Sequence, residues 1–128
     1  MQHIPGLYIA DSTGRGRGVF TAQELNKGDL IEICPVIMIP AQQLALIDQT
    51  VLYDYYFLWP GDEGLSCIAL GYGSIYNHAE NPNAAITFDL TSDTIMVLAT
   101  NDITAGQEIF VNYQGEVENP PELWFDVK

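Results

Sequence analysis

The sequence predicts a mostly β protein that forms a single domain with little helix. Three observations support this prediction. The chain has 128 residues, of which 48% are apolar, which is enough for one modest hydrophobic core. Glycine and proline divide it into short segments rich in β-branched and aromatic residues, a pattern typical of strands. Only one segment has helical spacing, and none approaches the roughly 20 apolar residues of a membrane span.

The first half of the chain contains four predicted strands, a helix and a fifth strand. The four strands are "GLYIA", "GVFTA", "DLIEIC" and "VIMI". The segment Pro40–Gln49 predicts a short helix, because proline suits a first helical turn and Leu44 and Ile47 fall at helical spacing. The aromatic segment Leu52–Trp59 predicts another strand, which "PGDEG" ends in a turn.

The second half predicts a hairpin, a last strand and a short terminal helix. "AAITFDL" and "TIMVLAT" flank "TSD", a typical hairpin connection. "EIFVNY" alternates as a strand does, and the Pro-Pro pair in "GEVENPPELWFDVK" is placed to begin a helix. No repeat or linker interrupts the chain, so one compact domain is expected.

The charge balance is strongly acidic. The chain has 17 acidic and 4 basic residues, a net charge of −13. Such a chain repels phosphates, so direct binding to nucleic acid is not expected. It favours a cationic partner, such as a peptide rich in lysine and arginine. The alternative is that the acidity serves solubility alone.

Cysteine usage and the N-terminal residues indicate a reducing compartment. Cys34 and Cys67 are too few for a disulfide framework. With His3 and His78 they show no zinc-type pairing, so no metal site is expected. The N-terminal residues lack a basic start followed by an apolar run, so no signal peptide is predicted. We therefore expect an intracellular, cytoplasmic protein without membrane contact.

Gly14–Phe20, "GRGRGVF", is the first segment that could carry chemistry. Glycine at every second position lets the backbone approach a ligand closely. Arg15 and Arg17 are two of the three cations that precede the C-terminal residue. The alternative interpretation is a glycine-rich hairpin turn.

Two further segments carry polar side chains suited to binding or catalysis. In Gly71–Asn83, Asn77 and His78 offer amide and imidazole groups, and the "NPN" turn that follows fixes them in place. Tyr113 ends the last predicted strand, and a tyrosine cluster lies at Tyr53, Tyr55 and Tyr56. A tyrosine could hydrogen-bond a reacting amine or surround a cation. The alternatives are a structural histidine and tyrosines that are merely half-buried.

In combination and order, these segments resemble the SET-domain lysine methyltransferases. The motifs are "GRGVF", "LNKGDLIEI", "YNHAENPNA" and "AGQEIFVNY", and "ALGYGSIYNHAENPN" is similar to short single-domain SET proteins of viruses and bacteria. The motifs extend from about Gly14 to Gly115, within one SET domain spanning 1–128 whose residues 116–128 form an aromatic tail. The resemblance implies a β-clip fold of small curved sheets closed by a C-terminal pseudoknot. It therefore implies that the Asn-His motif meets the terminal tyrosine.

The resemblance further implies that S-adenosylmethionine is the cofactor and that the reaction is methyl transfer to a lysine ε-amine. Backbone contacts to the methionine end of the cofactor would come from Gly16, Arg17 and Gly18. Arg15 or Arg17 would complement the cofactor carboxylate. Asn77 would bind the amino-acid end, and the backbone of His78 would hold the adenine.

For the lysine, the resemblance implies a catalytic Tyr113 and a channel lined by Tyr55. Tyr56 takes that place if the loosely matching segment "DYYF" is displaced by one residue. Ile86 or Phe88 would influence how many methyl groups are added. Trp124 and Phe125 could stack on the adenine or cover the channel, and the alternative is that they cap a hydrophobic edge. A homodimer could close the channel as well.

The sequence departs from the family pattern at Ala79, where many relatives carry serine, and at Asn112, which replaces a common acidic residue. Flanking cysteine-rich segments, which bind zinc in many chromatin enzymes, are not expected. The expected substrate is a basic, histone-like protein, with a nuclear location for a chromatin-directed enzyme. The rival hypotheses are a non-catalytic SET-like module that binds a basic peptide and an unrelated acidic β protein.

Overall fold

The computed structural model describes residues 3–61 and 64–112, and it confirms the predicted mostly β architecture. The strands of these ranges are β1 (Leu7–Ser12), β2 (Gly16–Thr21), β3 (Leu30–Ile39), β4 (Tyr56–Leu58), β5 (Ser66–Ala69), β6 (Asn77–His78), β7 (Ala84–Asp89), β8 (Thr94–Ala99) and β9 (Glu108–Val111). Helical structure in the same ranges is limited to a 3₁₀-helix at Ala41–Gln43, a helix α1 at Leu44–Ile47 and a second 3₁₀-helix at Val51–Asp54. None of these helices is long and apolar enough to cross a membrane.

The strands form two sheets, and the topology places the last described strand in the middle of one of them. The four-stranded sheet has the order β1-β2-β9-β6, and the five-stranded sheet has the order β4-β5-β3-β8-β7. β6 pairs with β9 in parallel, whereas the other strand pairs are antiparallel. β9 therefore brings "EIFV" directly beside Asn77 and His78. The predicted terminal helix and the pseudoknot crossing beyond Asn112 lie outside the described residues.

Two predicted strands, "DLIEIC" and "VIMI", are in fact one continuous strand, β3. Its first half pairs with β8 up to Pro35, and its second half pairs with β5 from Val36 onward. Proline has no N–H to donate to a ladder, so it normally interrupts a central strand. Pro35 lies where β3 stops pairing with β8 and begins pairing with β5. The strand therefore continues through the proline, although the sequence pattern suggested a break there.

The predicted strand over Leu52–Trp59 is wrong in its first half. Val51–Asp54 is a 3₁₀-helix, and only Tyr56–Leu58 is a strand. Thr50 caps this helix, since its side chain accepts a hydrogen bond of 3.1 Å from the N–H of Leu52. The helix predicted over Pro40–Gln49 is present, but its α-helical part is only four residues long.

The core joins both sheets. Its fully buried members include Val19 and Ile109 from the four-stranded sheet, and Ile95 and Val97 from the five-stranded sheet. Tyr76, which directly precedes β6, is also 0% exposed. The strand that carries Asn77 is therefore attached to the core by its neighbour in sequence.

Both cysteines are free and fully buried, and this predicts a loss of stability in alkaline solution. Burial raises the pKa of the Cys67 thiol from 9.0 to about 12, and burial, with a smaller effect of the Glu32 carboxylate, also raises the pKa of Cys34. At pH 10 the unfolded chain has therefore lost thiol protons that the folded chain retains. Because the unfolded state then binds fewer protons, the free energy of unfolding falls as pH rises.

We expect each thiol to lower the free energy of unfolding by about 1.4 kcal/mol between pH 8 and pH 10. Urea denaturation at the two pH values measures this decline. Cys67→Ala is the control, and its decline should be smaller than that of the native protein by the contribution of one thiol. An equal decline in both proteins would show that the buried thiol of Cys67 is not responsible.

Candidate functional site

The glycine-rich segment and the Asn-His motif are joined directly by the side chain of Asn77. Its Nδ2 donates one hydrogen bond of 3.0 Å to the carbonyl oxygen of Arg17 and another of 2.8 Å to Oε2 of Glu108. Arg17 lies on β2, Asn77 on β6 and Glu108 on β9. One amide thus connects three strands of the four-stranded sheet. The two motifs, which the family resemblance assigned to the same end of the cofactor, are in direct contact.

Glu108 is a further member of this site, and the sequence motifs did not identify it. Its Oε1 accepts a hydrogen bond of 2.6 Å from the hydroxyl of Ser12, while its Oε2 accepts from Asn77. Glu108 is the one acidic residue in a strand whose alternate positions, Ile109 and Val111, are fully buried. The sequence signal for Glu108 was its position as an acidic residue at the start of an otherwise apolar strand. Its partners are distant in sequence, so they could not be inferred.

Gly18 is required by close packing at this point. A Cβ placed on it would collide with the Glu108 carboxylate and would lie 2.8 Å from Nδ2 of Asn77. By contrast, a Cβ on Gly16 would meet nothing within 4 Å, so open space borders that part of β2. The hairpin alternative is also correct, because the turn between Ser12 and Gly16 joins β1 to β2. The segment is both a hairpin turn and one wall of the site.

The "NPN" turn fastens the Asn-His segment to β9. The side chain of Asn83 donates to the carbonyl oxygen of Glu108 at 3.0 Å and accepts from the N–H of Phe110 at 2.8 Å. The backbone N–H of Asn83 bonds to the carbonyl of Phe110, and that of Ala79 bonds to the carbonyl of Val111. Asn83 therefore bonds to β9 as a neighbouring strand would, and this is how the turn fixes the Asn-His motif.

Cationic groups lie beside the same strands. The guanidinium carbon of Arg15 is 5.1 Å from the ring centroid of Phe110, which is a cation–π contact. Arg15 and Arg17 are both exposed. In a protein of net charge −13, these two side chains provide local positive charge next to β2 and β9.

The predicted channel residues lie around β4 and β7. Tyr55 is 37% exposed at the end of the second 3₁₀-helix. Tyr56 donates a hydrogen bond of 2.9 Å to Asp48, and this bond raises the pKa of Tyr56. Ile86 is buried in the core, and Phe88 makes edge-to-face contacts with Phe57 and Trp59. Their role in a lysine channel stays a prediction.

The remaining predicted site residues are distributed as follows. His78 is exposed on β6, where it pairs with Val111. Tyr113, Trp124 and Phe125 lie outside the described residues. Within residues 3–61 and 64–112, no group of three or more His, Cys, Asp or Glu side chains is placed to hold a metal ion.

The chain is similar to SET-domain proteins by sequence and by structure. The SET-domain family profile matches residues 16–114. A Schizosaccharomyces pombe histone-lysine N-methyltransferase, specific for H3 lysine-37, is 32% identical over 121 residues, which cover 94% of this chain and 77% of the relative. A crystal structure of a Plasmodium falciparum protein assigned as a histone methyltransferase matches with a TM-score of 0.63 and 32% identity. That match covers 87% of this chain and 95% of the other.

A more distant structural match shows the fold alone. The structure of ctPRC2 in an autoinhibited conformation bound to S-adenosylmethionine has a TM-score of 0.71 at 22% identity, covering 85% of this chain and 15% of that one.

The matched residues and the connected motifs together define the family, and the chain belongs to the SET-domain family. It is an S-adenosylmethionine-dependent protein-lysine N-methyltransferase, as the order of its motifs predicted. The hypothesis of an unrelated acidic β protein is thereby excluded.

Proposed function

We propose that this enzyme methylates lysine ε-amines in basic, histone-like protein segments, and that it holds its cofactor beside Gly16–Gly18 of β2 and Asn77 of β6. The observation that carries the proposal is the hydrogen-bonded cluster of Asn77, Glu108 and the Arg17 carbonyl, with open space beside Gly16. We also propose that residues 1–128 form one SET domain.

The residues of this cluster fit the amino-acid end of S-adenosylmethionine. That end carries an ammonium and a carboxylate. The Glu108 carboxylate and Oδ1 of Asn77 are acceptors suited to the ammonium, and Oδ1 receives no hydrogen bond from any other described residue. Arg15 or Arg17 is suited to the carboxylate. The bare backbone of Gly16–Gly18 permits close approach, and the backbone of His78 is assigned to the adenine.

The chain's own contribution to the reaction is to bind and orient the lysine and to favour its neutral amine, the proton being lost to water. The cofactor supplies a methyl group activated by a sulfonium. A free lysine has a pKa of about 10.4, so the channel must favour the neutral amine, which apolar walls do. The hydroxyl of Tyr113 is assigned to orienting the amine. Tyr55, or Tyr56 in its place, is assigned to lining the channel, and Ile86 and Phe88 to limiting its size.

Two observations support basic, histone-like segments as the substrate class: the net charge of −13 and the descriptions of the relatives. Both relatives at 32% identity are described as histone methyltransferases. No lysine or arginine occurs between Gly28 and Val127, so the chain presents almost no positive charge outside the glycine-rich hairpin.

The segment that precedes β5 exposes apolar side chains beside Asp48 and Asp54. These side chains are Leu46, Val51, Leu52, Tyr53, Tyr55 and Leu58.

We further propose that the enzyme acts in a reducing compartment, either the cytoplasm or the nucleus. The two free, buried thiols support this location. We propose no direct contact with nucleic acid or membrane, because the acidic chain would be repelled by phosphates. The homodimer that could close the channel stays a prediction, with sedimentation of the purified protein as its test.

Methyl transfer to a basic peptide is expected to weaken with salt. Two peptides with the same single lysine are compared, one flanked by arginines and the other by glutamines. For the basic peptide we expect kcat/KM to fall by about tenfold between 50 and 500 mM NaCl, because screening removes its attraction to a −13 protein. Mass spectrometry of the methylated lysine provides the measurement.

The glutamine-flanked peptide is the control, and its slower methylation should change little with salt. Equal rates for the two peptides at low salt would contradict the proposed substrate class. Absence of both methyl transfer and S-adenosylmethionine binding would contradict the proposed site.

A further inference from the structure

We propose that Glu32 and Tyr76 form a positioning pair that aims Asn77 into the cofactor site by fixing the residue that directly precedes it. Neither residue belongs to the cluster described above, and Glu32 lies in the other sheet. The inference rests on the proposed function, since it concerns the cofactor role assigned to Asn77. It adds a buried, charged support beneath the segment that would bind the cofactor.

The contacts of Glu32 are short and specific. Its side chain is 2% exposed, yet it accepts a hydrogen bond of 2.6 Å from the Tyr76 hydroxyl and one of 2.9 Å from the backbone N–H of Tyr72. Glu32 lies on β3, while Tyr76 directly precedes β6. The pair therefore ties the five-stranded sheet to the strand that carries Asn77 and His78.

The loop before Tyr76 is shaped around this carboxylate. Gly71 has φ of +67°, and a Cβ placed on it would collide with Oε2 of Glu32. A side chain at this position would therefore be strained in conformation and blocked in space. Further along the loop, the hydroxyl of Ser74 accepts a hydrogen bond of 3.0 Å from the N–H of Ala69 on β5. The loop is thus fitted to β3 and β5 just before the chain enters β6.

A buried carboxylate of this kind is costly. The described parts of the chain provide no ion pair for Glu32, and Cys34 is a fully buried neighbour. Well-packed apolar residues usually give at least the stability of a buried charged group. The carboxylate instead fixes the orientation of its neighbours, because the Tyr76 hydroxyl and the Tyr72 N–H must both lie within hydrogen-bonding distance of it. This is the expected property of a group that positions its neighbours.

The peptide bond between the two residues transmits this positioning from Tyr76 to Asn77. Tyr76 lies outside β6 but is bonded directly to its first residue, Asn77. The Tyr76 hydroxyl contacts Glu32 in the core, whereas the Asn77 amide contacts Arg17 and Glu108 of the four-stranded sheet. A rotation of the strand about its axis would displace both side chains together. The bond of the Tyr76 hydroxyl to Glu32 opposes that rotation.

Tyr76→Phe tests the proposal, since it removes only the hydroxyl. We expect the Kd for S-adenosylmethionine, measured by isothermal titration, to rise by about tenfold. A second readout needs no cofactor: the backbone amide of Ala79, which bonds to Val111 at 3.1 Å, should exchange its hydrogen faster. The amides of the β7–β8 ladder, which does not contain Glu32, should change less than that of Ala79.

Ile39→Ala is the matched control. Ile39 is buried at the end of β3, where it pairs with Ser66 of β5 and not with the strand opposite Glu32, so this variant is destabilised away from the Glu32–Tyr76 pair. It should bind S-adenosylmethionine with native affinity. Native affinity in Tyr76→Phe as well, with native exchange at Ala79, would overturn the positioning role.

The double variant Glu32→Gln/Tyr76→Phe keeps the test decisive if Tyr76→Phe does not fold. It removes the buried charge together with the hydroxyl, so it should fold more stably than Tyr76→Phe. Its affinity for S-adenosylmethionine should nevertheless stay about tenfold below native. Native affinity in the folded double variant would overturn the proposal. Failure of the native protein to bind the cofactor would instead contradict the proposed function.

Discussion

Tyr113→Phe is expected to lower the rate of methyl transfer by about 10²- to 10³-fold, while S-adenosylmethionine binds within about twofold of its native affinity. The proposed function assigns to Tyr113 the task of orienting the lysine amine through its hydroxyl. The position of β9 among the described residues supports this proposal. Val111, two residues before Tyr113, pairs with His78 and accepts the N–H of Ala79 at 3.1 Å. The chain thus reaches Tyr113 from a strand fixed beside the proposed cofactor site.

Single-turnover methylation of a basic peptide measures this effect without interference from product release. Tyr8→Phe is the matched control, since Tyr8 is an exposed tyrosine on β1 that stacks on Phe20. It should retain the native rate. A rate within threefold of native in Tyr113→Phe would show that Tyr113 is not the catalytic tyrosine, and Tyr55→Phe would then be the next variant to measure.

Asn77→Ala is expected to weaken S-adenosylmethionine binding by about 100-fold. The substitution removes the amide that joins Arg17 to Glu108, and it leaves the half-buried Glu108 with Ser12 as its described side-chain donor. Loss of a hydrogen bond to a charged group costs about 1.5–3 kcal/mol, which corresponds to this change in affinity. The core contacts of Tyr76 are untouched, so the protein should remain folded.

Isothermal titration of S-adenosylmethionine measures this loss, with circular dichroism to confirm folding. Asn26→Ala is the control, because Asn26 is an exposed residue of the turn between β2 and β3. Asn77→Asp adds a test of charge, since it would place a second carboxylate close to that of Glu108, where like charges repel. Native affinity in Asn77→Ala would show that the cofactor site lies elsewhere.

The sequence predicted the fold class and one side of the candidate site for identifiable reasons. Short apolar segments between glycines and prolines indicated strands, and the ordered motifs indicated the family. Asn77 was identified because its motif stands in order with three other motifs of the family, whereas the Asn-His pair alone left a structural role open. These are local features, which a single sequence displays directly.

The rest could not be predicted because it depends on pairings between distant residues. Ser12 and Glu108 are 96 positions apart, and Tyr76 and Glu32 are 44 positions apart. The acidic residues of "DLIEIC" and "EIFVNY" look alike in sequence, yet one is a buried anchor and the other belongs to the site. The 3₁₀-helix at Val51–Asp54 was mistaken for a strand because aromatic content outweighed the capping by Thr50.

The position of β9 between β2 and β6 has a consequence for the newly made chain. The four-stranded sheet cannot assemble without β9, because β2 and β6 pair with β9 and not with each other. Val19 of β2 pairs with Ile109, and Asn77 of β6 pairs with Phe110. A ribosome releases β1, β2 and β6 long before β9, and contacts of such long range form late. A nascent chain therefore carries both binding motifs but no assembled site. S-adenosylmethionine would therefore stabilise only fully synthesised, folded chains, because a ligand favours the folded state that binds it.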